Sequence, residues 1–195
     1  MTITNGYTTL PELKAKLDIE IADLADDTML EAYVEAASRF FDGETQRTFY
    51  ARTETHYFDI PDGRELRLDD DLLTITTFTN GNAVAISSDD YIVIPRNRTP
   101  YYAIKLKETS SVYWELDSDG NSEGVLSLAG TWGRESTAPQ DVKEATAQIA
   151  SAAYKRRFGE NLSSVTTVTA AGVTITPQDI PVFAWNVIKR YKRRA

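Results

Sequence analysis

The 195-residue chain contains no cysteine and a single histidine, His56. Without thiols there are no disulfide staples, no thiolate metal sites and no cysteine nucleophile. With one imidazole, most zinc sites and the histidine-dependent forms of acid–base and nucleophilic catalysis are excluded as well, leaving only carboxylates for such work. No apolar run approaches the roughly 18 residues a membrane-spanning helix needs, and the opening Met1-Thr2-Ile3-Thr4-Asn5-Gly6-Tyr7 lacks the basic patch and apolar stretch of a secretory signal. These features predict a soluble protein that is not secreted and has no membrane partner. A glycine-rich phosphate loop is missing too. Around Gly130-Thr131-Trp132-Gly133 there is neither the lysine nor the helix start that a phosphate cradle requires.

What is present is enough apolar sequence for a real core, 42% of residues, beside 26% charged. The charge is uneven. Residues 1–137 carry 25 acidic and 12 basic side chains, whereas residues 138–195 carry 4 and 9, so a net charge of −8 conceals an acidic stretch followed by a basic one. An acidic body repels nucleic acid, and a basic end suits an acidic partner or phosphate.

Thr9-Leu10-Pro11-Glu12 predicts a capped first helix, ending near Leu17. Asp27-Thr28-Met29-Leu30-Glu31 predicts a second, also with a capping box, whose apolar stripe of Met29, Leu30, Tyr33, Val34, Ala37, Phe40 and Phe41 reaches about Thr45. Between 53 and 133 the pattern changes to short β-prone runs: 55–60, 65–68, 73–79, 83–86, 91–94, 103–106, 112–116 and 125–132. Asn80-Gly81 signals a hairpin, and Asp62-Gly63 and Asp119-Gly120 signal turns. A helical pattern resumes at Pro139 and runs to Phe158, with apolar residues on two faces. The second face is expected to meet either a neighbouring subunit or the protein's own interior. Residues 161–178 form an uncharged, β-prone arm, and a last helix starts near Asp179, presents Val182, Trp185 and Ile188, and ends in basic residues. The expected fold is α+β: one domain over 1–195, a helical bundle from 8–48 and 138–195, with an antiparallel sheet or small barrel at 53–133 inserted between the second and third main helices. The arm is expected to be flexible in the free subunit.

Candidate chemistry is thin. Asp69-Asp70-Asp71 reads as a solvated turn, because adjacent residues on an extended chain point to alternate sides and do not converge on a metal. Asp117-Ser118-Asp119-Gly120-Asn121-Ser122-Glu123 has the oxygen content of a calcium loop, but its glycine comes too early and no glutamate closes it, so an acidic hairpin tip explains it. His56 lies in an alternating strand with no second catalytic group nearby in sequence. The basic clusters at 154–157 and 191–194 each sit at a helix C-terminus, where the dipole favours cations; tyrosine beside arginine and lysine also permits stacking on bases. No catalytic, cofactor-binding or metal-binding residue is assigned, and the chain is read as a non-enzyme.

Four stretches, in order, resemble the head-tail connector (adaptor) proteins of long-tailed bacteriophages or prophages: Asp27 to Leu30 through Glu35-Ala36-Ala37-Ser38 to Thr45-Gln46-Arg47-Thr48-Phe49; Tyr57-Phe58-Asp59 leading to Leu72-Leu73-Thr74-Ile75; Asp90 to Asn97 with Pro100-Tyr101; and Gly130 to Gly133 followed by Pro139 to Ala145 and Tyr154 to Arg157. The resemblance spans most of residues 8–158. It implies a structural virion protein at the head-tail interface, assembled in the host cytoplasm. Its copies would form a ring, twelvefold in the usual case, between the phage portal protein and a tail-side stopper or tail-completion protein, and DNA would pass through the axial channel without specific binding. In that setting the basic terminal helix is the expected portal-docking element, with Trp185, Ile188, Arg190, Tyr191, Lys192, Arg193 and Arg194 as its contact residues. The alternatives are a nucleic-acid-binding protein using the same basic helix, and a carboxylate-dependent hydrolase using Asp69, Asp70 or Asp71.

Overall fold

The structure, a computed structural model, describes residues 3–157, 168–169, 172–173 and 180–193. The described residues form an α+β fold with four helices and a five-stranded antiparallel sheet. It divides into two compact units: Met1–Arg47 with Ala138–Ala195, and Thr48–Thr137.

The first unit contains α1 (Leu10–Lys16), α2 (Asp27–Thr45), α3 (Gln140–Arg157) and α4 (Val182–Tyr191). At α1 the capping box forms as the sequence predicts. The Glu12 amide donates to Thr9 Oγ1 at 3.3 Å, and Glu12 Oε2 accepts from the Thr9 amide at 2.7 Å, so two otherwise orphaned donors are satisfied. The predicted box at Asp27 does not form. Asp26 is the N-cap and makes no side-chain cap; its carboxylate is taken by Tyr154 and Arg157, while that of Asp27 pairs with Lys14. Leu30, Tyr33, Val34, Ala37, Ser38, Phe41 and Thr45 face inward from α2, the expected stripe with the small polar residues included. Ser38 and Thr45 satisfy their hydroxyls on the carbonyls of Val34 and Phe41, which permits their burial. Helix α3 is buried on both of its apolar faces, from Val142, Ala145 and Ile149 round to Ala147, Ala150 and Ala153, because α1, α2 and α4 all pack on it. Its alanines serve close internal helix contacts.

Most of the uncharged 161–178 arm lies outside the described residues. Its described part contains a short antiparallel pair, β6 (Val168–Thr169) with β7 (Gly172–Val173), where β-prone residues flank the Ala171-Gly172 turn signal.

The second unit holds β1 (Arg52–Phe58), β2 (Glu65–Thr79), β3 (Tyr91–Ile94), β4 (Tyr101–Leu106) and β5 (Leu126–Trp132), in spatial order β1-β5-β2-β4-β3 with every neighbour antiparallel. Strand β2 is one 15-residue strand running through Asp69-Asp70-Asp71, not two strands joined by a solvated turn. Its first half pairs with β4 and its second half with β5. Leu72 is the pivot, opposite both Tyr101 and Trp132, and the register on the β4 side shifts between Arg67 and Leu72. The three aspartates occupy that irregularity, where a bulge breaks the ladder and re-aims side chains. Leu68, Leu72, Phe78, Ile104, Leu106, Leu126, Leu128 and Trp132 form the core. Gly130 lies where β5 crosses β2, and a Cβ there would sit 2.2 Å from the Thr74 carbonyl oxygen, so the strand pairing itself requires glycine.

Two predicted strands are absent. Residues 83–86 contribute only an isolated bridge between Thr79 and Ala85, and 112–116 run extended without joining the sheet. The second segment is anchored through side chains: the Trp114 indole donates to the Gly63 carbonyl at 2.7 Å, and Asn80 Nδ2 donates to the Tyr113 carbonyl at 2.8 Å. The Asn80-Gly81 turn does form, closed by the Ala83 amide on the Asn80 carbonyl.

Candidate functional site: exposed and paired surfaces

Helix α4 carries the residues assigned to docking, and the structure divides them. Ala184, Val187 and Ile188 are buried within the helical unit, with Tyr191 and Trp185 half-buried. The inward stripe is therefore 184, 187, 188 and 191, rotated from the 182, 185, 188 stripe expected from sequence. The exposed Asn186, Lys189 and Arg190 share the opposite face, and the small Ala184 allows close approach to a neighbouring helix. Val182, 78% exposed, and Phe183, 43% exposed, are left outside.

The basic residues that follow are partly engaged. Tyr191 donates its hydroxyl to the Asp141 carboxylate at 3.1 Å, and Arg190 Nη1 meets Asp141 Oδ2 at 3.2 Å with its guanidinium 5.5 Å from the Tyr191 ring centre. Asp141 stands in the first turn of α3, where the helix dipole already favours a carboxylate. The Arg193 amide donates to the Thr45 carbonyl at 2.9 Å, closing the end of α2. Lys192 is exposed, as is Lys189, and Arg194 lies outside the described residues.

At the other basic cluster, Tyr154 donates to Asp26 Oδ2 at 2.7 Å, and Arg157 Nη1 lies 3.8 Å from Asp26 Oδ1. The hydrogen bond to Asp26, aided by burial and the negative charge of Asp26, pushes the Tyr154 phenol up to about 12. Lys16 reaches Glu144 at 2.5 Å, and this hydrogen bond, with a second from Gln148, holds the Glu144 carboxyl below its usual range. Folding thus returns the basic C-terminal segment onto the acidic N-terminal one. The helical unit holds 14 acidic and 13 basic residues over its full length, and the sheet unit 15 and 8. The strongly acidic part of the protein is the sheet unit.

Within that unit His56 stacks on Trp132, ring centres 3.8 Å apart and nearly parallel at 10°, with Asp69 Oδ1 3.1 Å from Nδ1 and Glu54 Oε2 3.3 Å from Nε2. Arg52 continues the chain of charges between Glu54 and Asp70. Each of these carboxylates therefore has a cationic or imidazole partner, and among the described residues no hydroxyl, thiol or amine nucleophile is hydrogen-bonded to the imidazole. The cluster clamps edge strand β1 to β2 beside the core tryptophan. Sequence distance concealed it, because Asp69 and Asp70 reach β1 only through the strand order.

The 117–123 loop is a turn. Asp117 Oδ1 accepts the amides of Asp119 at 2.9 Å and Asn121 at 2.8 Å, and Gly120 has a φ of 78°. Among the described residues no group of three or more histidine or carboxylate side chains is arranged to hold a metal ion, and no helix is long and apolar enough to cross a membrane.

Open grooves lie on the sheet unit. One, of about 1020 Å³, follows residues 58–67 with Lys105 and Glu108 and is lined by charges of both signs. Another, of about 690 Å³, lies over β2, β3 and β4, where Leu73, Ile75, Tyr91, Ile92 and Tyr101 make an apolar floor beside Arg96 and Lys107.

No family model matches the chain, and no curated protein matches it. Solved structures do. A chain from the neck of an empty GTA particle computed with C6 symmetry superposes with a TM-score of 0.62 at 14% identity, covering 100% of this chain and 94% of that one. A chain from the virion of a native gene transfer agent (GTA) particle gives 0.62 at 15%, with 100% and 94% covered. A chain from the neck of a native GTA particle computed with C12 symmetry gives 0.61 at 13%, with 100% and 93% covered. At such identities the likeness is one of fold.

Proposed function

We propose that this chain is a structural subunit of a virion neck: a head-tail adaptor whose copies form a ring between a portal and a stopper or tail-completion protein, with an axial passage for DNA. The observation that carries this reading is end-to-end fold likeness to chains of phage-like neck assemblies, covering the whole of this chain and nearly the whole of theirs. The C6 and C12 symmetries of those necks support a ring of copies, twelve being the number compatible with both. A non-enzymatic role is supported by the chemistry of the described residues, whose one histidine and acidic clusters are engaged in turns, ion pairs and strand clamps. An acidic sheet unit suits DNA passage, since counterion-release binding depends on cationic contacts.

Portal docking falls to the surface that α4 leaves open. Trp185, Arg190, Lys192 and Arg193 remain in the contact set with Val182, Phe183 and Lys189 added, while Ile188 and Tyr191 support it from within. The pairing of Arg190 and Arg157 with carboxylates weighs against direct nucleic-acid binding by the basic helix ends.

The test is electron microscopy and co-sedimentation of the full chain with its candidate portal ring. A second ring is expected on the portal, and a Phe183→Asp, Lys189→Glu, Lys192→Glu variant with unchanged circular dichroism should bind at least tenfold more weakly. Absence of wild-type attachment overturns the adaptor reading; undiminished attachment of the variant overturns the α4 assignment. Tight, steeply salt-dependent binding to duplex DNA would favour the nucleic-acid reading instead.

A further inference from the structure

A closed ring requires each subunit to offer two different surfaces that fit one another. Resting on the ring reading above, we infer that the α1–α2 loop of one copy seats its exposed apolar side chains in the β2–β3–β4 groove of the next.

The loop is built to present those side chains. Lys14, 2% exposed, sends its ammonium into the loop, where it donates to the carbonyls of Ile21 at 3.2 Å and Asp23 at 2.5 Å and pairs with the Asp27 carboxylate. The Ile19 amide returns to the Lys14 carbonyl, the Asp23 amide to that of Glu20, and the Ala25 amide to the Asp23 carboxylate, so the loop has a defined shape. Burying a lysine is costly unless its donors are satisfied, and here loop oxygens satisfy them. Yet the segment so fixed buries neither of its large apolar residues: Ile21 and Leu24 are each 70% exposed. They are flanked by the exposed carboxylates of Asp18, Glu20 and Asp23. The result is a hydrogen-bonded loop that exposes two large apolar side chains among carboxylates.

The groove has the opposite character. Its floor is apolar and aromatic, and its charged residues are Arg96 and Lys107. Arg96 is exposed and has no ionic partner among the described residues, while Lys107 donates to a neutral acceptor, the Asp89 carbonyl. In a sheet unit with an excess of seven acidic residues, these cations stand where an anionic rim would meet them. An apolar tip in an apolar floor supplies binding energy, and the opposed rims supply register.

The absence of native cysteine makes the contact directly testable. Full-length chains carrying Leu24→Cys are mixed with chains carrying Thr74→Cys, a groove-lining position, assembled with or without portal rings, and exposed to a mild oxidant. Disulfide-linked heterodimers are expected, with a ladder of covalent oligomers from the chain carrying both substitutions. Ile21→Asp with Leu24→Asp should raise the concentration needed for ring assembly at least tenfold with circular dichroism unchanged. Arg96→Glu should weaken assembly similarly, and combining it with Glu20→Arg should restore it. Provided the wild-type chain forms rings, substituted chains that assemble without this cross-link, Leu24→Cys chains that link only to each other, or assembly insensitive to the charge reversals overturn this contact and leave the adaptor reading standing. Failure of the wild-type chain to form a ring under any of these conditions overturns the adaptor reading, and this contact with it.

Discussion

The helical and sheet units are held together in different ways. In the helical unit segments far apart in sequence meet over a buried apolar interior, with Leu13, Leu30, Phe41, Val142, Ile149 and Ile188 almost fully buried, and polar and ionic contacts rim it: Lys16 to Glu144, Tyr154 and Arg157 to Asp26, Arg190 and Tyr191 to Asp141. The sheet unit is one continuous stretch of chain whose strands share a single aromatic and aliphatic core centred on Trp132, and it leaves most of its acidic side chains at the surface. Where the unit recruits both ends of the chain, apolar burial joins the helices and opposite charges on the two segments add register at the rim. Where the unit is contiguous, burial and the strand ladder join the strands, and most of its acidic side chains stay at the surface.

The largest expected break in this contrast is Trp132→Ala. Trp132 is fully buried, stacks on His56, and donates its indole to the Glu54 carbonyl at 3.1 Å. Its removal should cost the sheet unit about 3–5 kcal/mol, read as an earlier unfolding transition in denaturant followed by far-UV circular dichroism. If β-sheet signal and midpoint are both unchanged, the core does not depend on this residue as described.

Lys14→Ala should destabilise the helical unit by about 2 kcal/mol, because it strands two carbonyls and the Asp27 carboxylate. Hydrogen exchange should show the added opening first at residues 19–27. An effect spread evenly over both units would contradict a local anchoring role.

A smaller, pH-specific effect is expected at Tyr154. Its folded pKa lies above the ordinary value of 10, so the stabilisation from its bond to Asp26 is complete below pH 10 and is lost as pH rises toward about 12. Tyr154→Phe should remove that part of the alkaline loss of stability, seen in thermal melts across pH 9–12. Identical profiles for the two proteins would show that the phenol–carboxylate bond does not contribute.

Much of this architecture was legible residue by residue. The capping residues Thr9 and Glu12, the α2 stripe ending at Thr45, and the Asn80-Gly81 turn are local features, and local sequence decides them. Asp117 binding its own backbone is local as well, which is why the 117–123 loop could be read as a turn. The errors arose where a distant partner overrode local preference. Three consecutive aspartates look like a solvated turn, yet β2 continues through them because it exchanges one neighbouring strand for another at Leu72, and Arg52 and His56 on β1 take up two of the carboxylates. Asp27 looks like part of a capping box, but a buried ammonium claims it. On α4, Asn186, Lys189 and Arg190 share one face, and the buried stripe 184, 187, 188 and 191 lies opposite them, so the polar residues marked a face that the apolar residues 182, 185 and 188 alone did not.

The surface proposed for docking was legible only in outline. Basic residues at the end of α4 could be counted from sequence, but which of them are free depended on Asp141, some 50 residues away. The exposed pair Ile21 and Leu24 left no sequence signal, since two isolated apolar residues in an acidic loop carry no periodic pattern that fixes which way they face.

Sequence by itself determined the α+β class, the helix ends with local caps, and the poverty of catalytic side chains, because periodicity, capping and composition act over a few residues or over none. Only the tertiary structure decided which charges are spent on one another, that the acidic excess belongs to the sheet unit, and which apolar residues face outward. Those outcomes turn on contacts between residues tens of positions apart, where Coulomb attraction and burial depend on distances that the linear order does not contain.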